Sequence, residues 1–362
     1  MHVKWQTALA AVFVASILFI LLTVFKVREM IIDAIPSDIK YAISAGIGLF
    51  IAFIGLQNAK LVIGNDSTLV SITNFTKDFH TAGICSLLAV VGLLITVILY
   101  IKKVPGSILI GILATWVIGM LCQVTGIYVP DFKTGYYSLF PTFAMTDFSK
   151  LGETFGKCFQ YDLGKVGIFN FITVVLSFLF VDLFDTLGTL VGVSTKAGML
   201  NEEGKLPGIK PALMADAVAT TAGAVLGTST VTTFVESSSG VAAGGRTGLT
   251  AVVSGFLFLI STLFAPLFTA IPSFATAPAL IMVGFLMFGA ISDIKFTDDN
   301  MTEAVPAYLC IIAMPLFYSI SEGISIGIIS YVILNVVCGK AKKITPLMYV
   351  LAVLFILKYA VL

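Results

Sequence analysis

Charged residues are scarce in this sequence. Asp, Glu, Lys and Arg make up 11% of its 362 residues, whereas 58% of the residues are hydrophobic. So little polar surface cannot cover a soluble globule, and the mean hydropathy of +1.04 points the same way. Apolar runs of about twenty residues favour helices over a barrel, whose strands need only about ten. The composition therefore predicts an all-α polytopic membrane protein.

Histidine and cysteine are also few, which bears on metal sites and enzyme classes. The two histidines are His2 and His80, and the cysteines lack the short spacings of metal ligands: Cys85, Cys122, Cys158, Cys310 and Cys338. This scatter argues against a zinc or haem site, and we expect no metal and no cofactor. The sequence has no nucleophile–base set and no nucleotide-binding loop, so an enzyme is the least favoured class. The net charge of +1 gives no indication of nucleic acid.

The apolar runs predict about eleven membrane crossings. The first run, Thr7 to Phe25, is followed by no small-residue cleavage signal and is interpreted as a span. We predict a polar loop at residues 57–81 and spans at 249–271, 304–320 and 346–362, the last of them marginal. Basic residues gather in alternate connections, which the positive-inside rule assigns to the cytoplasm, with residue 1 outside. These residues are Lys26, Arg28, Lys40, Lys102, Lys103, Lys196, Lys205, Lys210, Arg246, Lys295, Lys340, Lys342 and Lys343.

Two aspartates interrupt the apolar run FLFVDLFDTLGTL at residues 178–190. Asp182, Asp185 and Thr189 are spaced i, i+3 and i+7, so a helix places them on one face. Ionisable groups at membrane depth are costly and usually mark a substrate or proton route. The alternative is a structural pair that is hydrogen-bonded to neighbouring helices. Asp216 is left open between an interfacial charge and a site residue.

A second segment, LGTSTVTTFVESSSGVAAGGRT at residues 226–247, does not have the pattern of an ordinary helix. Alternating Thr and Val predict an extended stretch, and Ser followed by Gly predicts a short helix. Such a break is tolerated at membrane depth only where it lines a cavity. It leaves the N–H groups of Ser237, Ser238 and Ser239 free for a ligand. Glu236 lies at the break, where it either binds a ligand or merely caps the half-helix.

Three motifs carry a resemblance to a known family: FVDLFDTLGTLVGVSTKAGML, STVTTFVESSSGVAAGGRTGLTAVV and AISAGIGLFIAFIGLQNA. In these motifs the chain resembles the nucleobase:cation symporter family two. It is most similar to the AzgA-like hypoxanthine/guanine/adenine permeases. The resemblance implies a seven-plus-seven inverted-repeat transporter fold with core and gate domains and a strand/half-helix element near 228–245. On that map the chain begins at segment four, so the fold is incomplete. We therefore expect a start codon assigned too far downstream or a truncated gene.

The resemblance also implies a domain organisation. Residues 1–25 are a core-domain remnant (segment four), 26–124 the first part of the gate domain (segments five to seven), and 125–166 an external loop. Residues 167–271 form the rest of the core domain (segments eight to eleven), and 272–338 the second part of the gate domain (segments twelve to fourteen). Residues 339–362 are a basic loop and a C-terminal apolar helix.

The family's substrate-binding residues transfer to this chain by motif. An acid on segment eight and a Glu on segment ten bind the base, and they match Asp185 and Glu236, with backbone presented beside the Glu by Val235. Thr189 stands where the uracil branch has a histidine and cannot titrate, which shifts proton coupling to Asp182, Asp185 or Glu236. The resulting substrate-binding set is Asp185, Glu236, Val235, Ser237, Thr189 and Phe184.

We therefore predict a purine nucleobase permease that works by alternating access, with proton symport, as a multi-pass protein of the bacterial inner (plasma) membrane. The expected partners are a purine, the lipid bilayer and a second copy in a homodimer. One alternative is an anion or sulfate-type transporter of the same architecture, whose site would be dominated by positive charge. The other is an inactive truncated permease. The choice of purine, and of proton or sodium, stays open.

Overall fold

The computed structural model describes residues 4–149, 151–160, 167–201 and 206–361. Lys205 and residues 161–166 of the predicted external loop lie outside them. A π-helical turn, Phe79–Gly83, leads into α4, and the strands are β1 (Val62–Asn65) and β2 (Leu69–Ile72). The α-helices are α1 (Trp5–Val24), α2 (Val27–Ala34), α3 (Ser37–Asn58), α4 (Ile84–Ile101), α5 (Ser107–Val124), α6 (Leu151–Thr154), α7 (Ile168–Lys196), α8 (Ile209–Leu226), α9 (Ser237–Ala242), α10 (Gly248–Leu263), α11 (Ala265–Phe268), α12 (Ser273–Phe288), α13 (Met301–Leu316), α14 (Ile320–Val337) and α15 (Pro346–Val361).

In the described part of the chain, eight helices are long and apolar enough to cross a membrane. They confirm the prediction of a helical, multi-pass membrane protein. Helices α10, α13 and α15 have 16 residues each, a length of about 24 Å, which is short of a hydrocarbon core of about 30 Å. The predicted span at 249–271 is wrong as a single helix. Phe264, with φ −119°, separates α10 from α11, and Pro266 lacks the N–H that a continuing helix would need.

The described chain divides into two compact units. The first comprises Met1–Ile47, Phe148–Val235 and Met287–Leu362, and the second comprises Gly48–Asp147 and Glu236–Leu286. The predicted core and gate domains stay a prediction, because they group elements by their common movement rather than by contact.

Small residues bring helices of the first unit together. Ala10, Ala11 and Ala15 of α1 pack against Phe171 and Val175 of α7, and α1 also contacts α8. Such residues let helix backbones approach closely, which is how membrane helices gain packing energy.

Helices α13 and α14 form a hairpin by the same principle. A Cβ atom on Gly323 would lie 2.2 Å from Cγ of Met314, and one on Gly327 would lie 2.9 Å from Cβ of Cys310. The hairpin therefore needs glycine at both positions.

Helices α4 and α5 form the corresponding pair in the second unit. Gly92 faces Thr115 and Gly111 faces Thr96, and a Cβ on either glycine would lie within 2.1 Å of the threonine hydroxyl oxygen. The loop after α5 is fastened to the same helix, because Trp116 Nε1 donates a hydrogen bond to the carbonyl of Leu139 at 2.8 Å. This part of the predicted external loop is therefore held in place by a buried side chain.

The predicted polar loop at residues 57–81 contains a β-hairpin, so that prediction is incomplete. Strands β1 and β2 pair antiparallel, with Val62 opposite Ile72 and Asn65 opposite Leu69. Asn65 Oδ1 accepts hydrogen bonds from the backbone N–H groups of Ser67 and Thr68 at 2.8 and 3.1 Å. An asparagine that bonds backbone two residues on stabilises a turn, which here joins the two short strands.

The segment before α9 is predicted to be extended rather than helical, and it is indeed not helical. Residues 228–235 do not, however, enter a β-ladder within the described chain. A ladder requires a second strand. At Val231, the hydroxyl of Thr220 on α8 bonds the backbone groups that a second strand would otherwise bond. It donates to the carbonyl of Val231 at 2.9 Å and accepts from its N–H at 3.3 Å. The predicted half-helix is present as the six-residue α9.

Candidate functional site

The acidic pair of the sequence lies on a continuous helix, α7, which runs for 29 residues. Asp182, Thr186 and Thr189 are buried and Asp185 is largely so, which places all four on the inner face of the helix. Among the described residues, neither carboxylate oxygen of Asp182 has a hydrogen-bond partner, and neither does Oδ1 of Asp185. An unpaired carboxylate is expensive to bury. The helix therefore presents unsatisfied acceptors to the interior of the first unit.

The carboxylate of Asp185 is engaged on one side. The backbone N–H of Ser321, the second residue of α14, interacts favourably with it. A helix N-terminus has free N–H groups and the positive end of the helix dipole, so it is a favourable neighbour for a carboxylate. Asp185 thus lies near a helix N-terminus, while its Oδ1 has no hydrogen-bond partner among the described residues.

A buried ion pair that was not predicted lies beside Asp182. Arg28 of α2 is fully buried, and one of its terminal nitrogens lies 3.1 Å from Oδ2 of Asp216. Its other terminal nitrogen donates to the carbonyl of Leu213 at 3.2 Å, and its guanidinium stacks over the ring of Phe19 at 4.7 Å from the centroid. The hydroxyl of Thr186 donates to the second oxygen of Asp216 at 3.3 Å. Asp216 is therefore a structural residue with both oxygens satisfied.

Arg28, which the positive-inside rule assigns to a cytoplasmic connection, is therefore buried within the first unit. Lys40, counted in the same way, is buried too, at 3% exposure. Arg28 lies in α2, just after the span α1, and Lys40 lies near the start of α3. The short helix α2 packs against α7 and α8. The connection that carries them is therefore folded into the first unit rather than spread on the membrane surface.

Phe184, predicted as an apolar wall for the substrate, is a core residue in this arrangement. It is 1% exposed, and its ring lies 4.6 Å from that of Phe355 on α15 and 6.2 Å from that of Phe180, measured between centroids. A planar ligand would reach its ring only after Phe355 moved. Val235, the last residue of the middle segment of the first unit, is also buried, at 9% exposure.

Glu236 and Ser237 begin the second of the two segments that form the second unit, and both are exposed. Glu236 is the N-cap residue of α9, but its side chain makes no capping hydrogen bond, so the alternative of a mere cap is not supported. The predicted free N–H of Ser239 is wrong, because it donates to the carbonyl of Glu236 at 2.9 Å. The hydroxyl of Ser238 is buried and has no partner within the described chain. The half-helix thus begins with a carboxylate that does not cap it.

The second unit also contains a cavity of about 590 Å³. It lies at the end of α3 and the start of α4 and α12, under the loop that follows α5, and its polar lining includes Lys60 and Tyr136. Tyr136 lies outside the spans, and burial raises the pKa of its hydroxyl. None of the predicted site residues lines this cavity, so the site assignment does not depend on it.

Comparison with known proteins places the chain in a family. The model described as Permease family (Xan_ur_permease) matches residues 1–328. The guanine/hypoxanthine permease PbuG of Bacillus subtilis is 45% identical over 356 residues, covering 98% of this chain and 76% of that protein. The guanine/hypoxanthine permease PbuO of the same organism is 44% identical over 364 residues, covering 99% and 79%.

A third relative comes from another organism. The adenine permease AdeP of Escherichia coli is 38% identical over 358 residues, covering 99% of this chain and 75% of that protein. These matches extend over the acidic helix α7, the half-helix α9 and both units. The chain therefore belongs to the xanthine/uracil permease family and is a membrane transporter rather than an enzyme.

Proposed function

We propose that this chain is a purine nucleobase permease that takes up hypoxanthine, guanine or adenine by alternating access and is coupled to protons. The relatives that cover almost the whole chain are named as guanine/hypoxanthine and adenine permeases. Their names supply the substrate class, and the acidic side chains of α7 are proposed to bind a substrate of this class.

The observation that carries the proposal is the set of unsatisfied carboxylate oxygens on Asp182 and Asp185. A purine presents ring and exocyclic N–H donors, which need acceptors once the base leaves water. Asp185 and Glu236 are proposed to accept from these donors, while backbone N–H groups at the start of α9 donate to ring nitrogens or a carbonyl. Ser237, Val235 and Thr189 complete the proposed site, which Phe184 would join only if Phe355 moved away.

Proton coupling is proposed from the same two aspartates. The cation nearest to Asp182 is Arg28, which is already bound to Asp216. A proton on Asp182 or Asp185 would neutralise a buried charge that has no counter-ion of its own, and such acids often serve as proton relays in transporters. Glu236 is the third candidate. An anion transporter is less favoured, because a negatively charged ligand would meet free acceptors here rather than donors.

The test is uptake of labelled hypoxanthine, guanine and adenine by a host that lacks its own purine transporters. Wild-type chain is expected to give saturable accumulation that an uncoupler abolishes. Asp182→Asn, Asp185→Asn and Glu236→Gln each remove a charged acceptor, a loss of about 1.5–3 kcal/mol per hydrogen bond, so uptake efficiency should fall about 10- to 150-fold.

The matched control is Asp299→Asn, which changes an exposed carboxylate in a connection between helices. It should leave uptake unchanged at equal amounts of protein in the membrane. Saturable uptake that survives all three site substitutions would reject the site. Absence of saturable uptake of any of the three purines by membrane-inserted wild-type chain would reject the function.

A further inference from the structure

The first turn of α14 is held by acceptors from two directions. Ser319, the N-cap residue, accepts a hydrogen bond from the N–H of Glu322 at 3.3 Å through its hydroxyl oxygen. The N–H of Ser321 interacts with the carboxylate of Asp185 on α7. Because the N–H groups of a first turn have no partner inside their own helix, both interactions stabilise the turn. The carboxylate proposed to bind substrate therefore also binds a helix end.

Close approach of the two helices is possible because α7 has glycine next to this contact. A Cβ atom on Gly188 would lie 3.1 Å from side-chain atoms of both Ile320 and Ile324 of α14. That separation is tighter than ordinary van der Waals contact. Gly188, three residues after Asp185, thus lets the first turn of α14 pack closely against α7 next to the carboxylate.

The same turn contains a second acid, Glu322, whose negative charge would repel that of Asp185 if Glu322 had no partner. Glu322 follows Ser321 directly, so two carboxylates share one helix end. Lys358 of α15 forms an ion pair with Glu322, and the hydroxyl of Tyr359 donates to the other carboxylate oxygen. The Lys358 side chain is only 11% exposed and that of Glu322 25%. Screening by water is therefore limited, and the pair acts at close range.

We propose that Lys358 is a positioning residue of the substrate site. By neutralising Glu322 it keeps the first turn of α14 against Asp185, and it leaves the remaining negative charge on Asp185, where a purine N–H can use it. Lys358 is itself a charge that acts on Asp185. Asp182 lies one turn away on the same helix, and the Arg28–Asp216 pair of α2 and α8 acts on Asp182. The inference rests on the proposed function and extends it to α15, which lies beyond the residues 1–328 that the family model matches.

A purely structural role is the competing explanation, since the ion pair also fastens α15 to α14. The two explanations differ in what a substitution changes. Loss of a purely structural residue lowers the amount of folded protein and the maximal rate of uptake. A positioning residue changes the KM of uptake and depends on Glu322.

The experiment compares hypoxanthine uptake by Lys358→Met, Lys358→Arg and the double variant Lys358→Met/Glu322→Gln at equal membrane abundance. Lys358→Met leaves the charge of Glu322 without its cation near Asp185, and KM should rise about tenfold, equivalent to about 1.4 kcal/mol, with little change in maximal rate. Lys358→Arg should keep the wild-type KM. The double variant removes both charges and should return KM to within about threefold of wild type.

The exposed pair Lys343–Glu303 is the matched control. Its atoms lie 3.3 Å apart and the Lys343 side chain is 56% exposed, so the corresponding single and double variants should leave KM unchanged. The proposal is overturned if Lys358→Met lowers the maximal rate at constant KM, or if the double variant is no better than the single one. Failure of both variants to insert in the membrane would assign Lys358 a structural role only and overturns it as well.

A second measurement separates this inference from the proposed function. In a double-mutant cycle of melting temperatures with purified protein, Asp185→Asn should suppress the effect of Lys358→Met, because the repulsion by Glu322 then has no charged target. Additive effects would overturn the inference whether or not the chain transports purines. Conversely, coupling without purine uptake would retain the positioning role and reject the proposed function.

Discussion

Replacing Arg28 with methionine would leave the carboxylate of Asp216 buried without its charge partner. Methionine keeps the length and much of the volume of the arginine stem, so packing over the ring of Phe19 is largely preserved. What is lost is the 3.1 Å ion pair with Asp216 and the 3.2 Å hydrogen bond to Leu213. The substitution therefore isolates the electrostatic contribution of the guanidinium.

The expected loss follows from the burial of both partners, whose side chains are 0% and 4% exposed. Breaking a buried pair by removing one partner costs about 3–5 kcal/mol, because the remaining charge is uncompensated. With an unfolding entropy of roughly 2.1 cal/mol/K per residue, 362 residues give roughly 0.76 kcal/mol/K, so the melting temperature should fall by about 4–7 °C.

The assay is thermal unfolding of purified protein in a mild detergent. The double variant Arg28→Met/Asp216→Leu replaces both charges by apolar groups, which is often neutral or stabilising, so it should melt within about 2 °C of wild type. Lys343→Met breaks the exposed Lys343–Glu303 pair and should lower the melting temperature by less than about 2 °C, because exposed pairs contribute at most about 1 kcal/mol.

Two results would refute this reasoning. If Arg28→Met and Lys343→Met lowered the melting temperature equally, burial would not explain the contribution of the Arg28–Asp216 pair to stability. If the double variant melted as low as Arg28→Met alone, the loss would come from packing rather than from an uncompensated charge.

Further predictions concern helix approach and membrane orientation. Gly188→Ala should displace Ile320 and reduce hypoxanthine uptake severalfold, whereas Gly255→Ala, whose Cβ would meet nothing within 4 Å, should not. A membrane-impermeant maleimide should label the exposed Cys338 in inside-out vesicles but not in intact cells, and labelling from outside would reverse the predicted orientation. Cys158 should stay unlabelled at neutral pH on either side, because it is 1% exposed and burial raises the pKa of its thiol, so thiolate forms only at higher pH.

The features of the site that depend on local spacing were predictable from the sequence. Asp182, Asp185 and Thr189 share a face because a helix has 3.6 residues per turn, and a long apolar run is sufficient to predict that helix. The half-helix after Glu236 was predictable for a similar reason, since Ser at its start and Gly after its end are local signals. Neither prediction required knowledge of the tertiary fold.

The Arg28–Asp216 pair was not predictable in this way, because the partners are 188 positions apart. Arg28 lies between Lys26 and Lys40, so the positive-inside rule treats all three as loop charges. Only the packing of α2 against α7 and α8 turns Arg28 inward. The β-hairpin was missed because its strands have four residues each, too few for an alternating pattern to stand out from a polar loop.

Neither carboxylate oxygen of Asp182 has a hydrogen-bond partner among the described residues, and this makes an unusual prediction about stability. By contrast, Asp216 is bound by Arg28 and Thr186, and Glu322 by Lys358 and Tyr359. An unpaired buried polar group costs about 1–3 kcal/mol judged by substitutions in proteins.

Asp182→Asn removes the charge at nearly constant volume, so it should raise the melting temperature by about 1–4 °C while it reduces purine accumulation. A site that is kept for function at the expense of stability behaves in this way. Thermal unfolding and uptake are measured on the same variant, and Asp216→Asn, which breaks a satisfied pair, should instead lower the melting temperature. If Asp182→Asn destabilised the protein as Asp216→Asn does, Asp182 would be part of the scaffold, and the free acceptors on α7 would reduce to the single oxygen of Asp185.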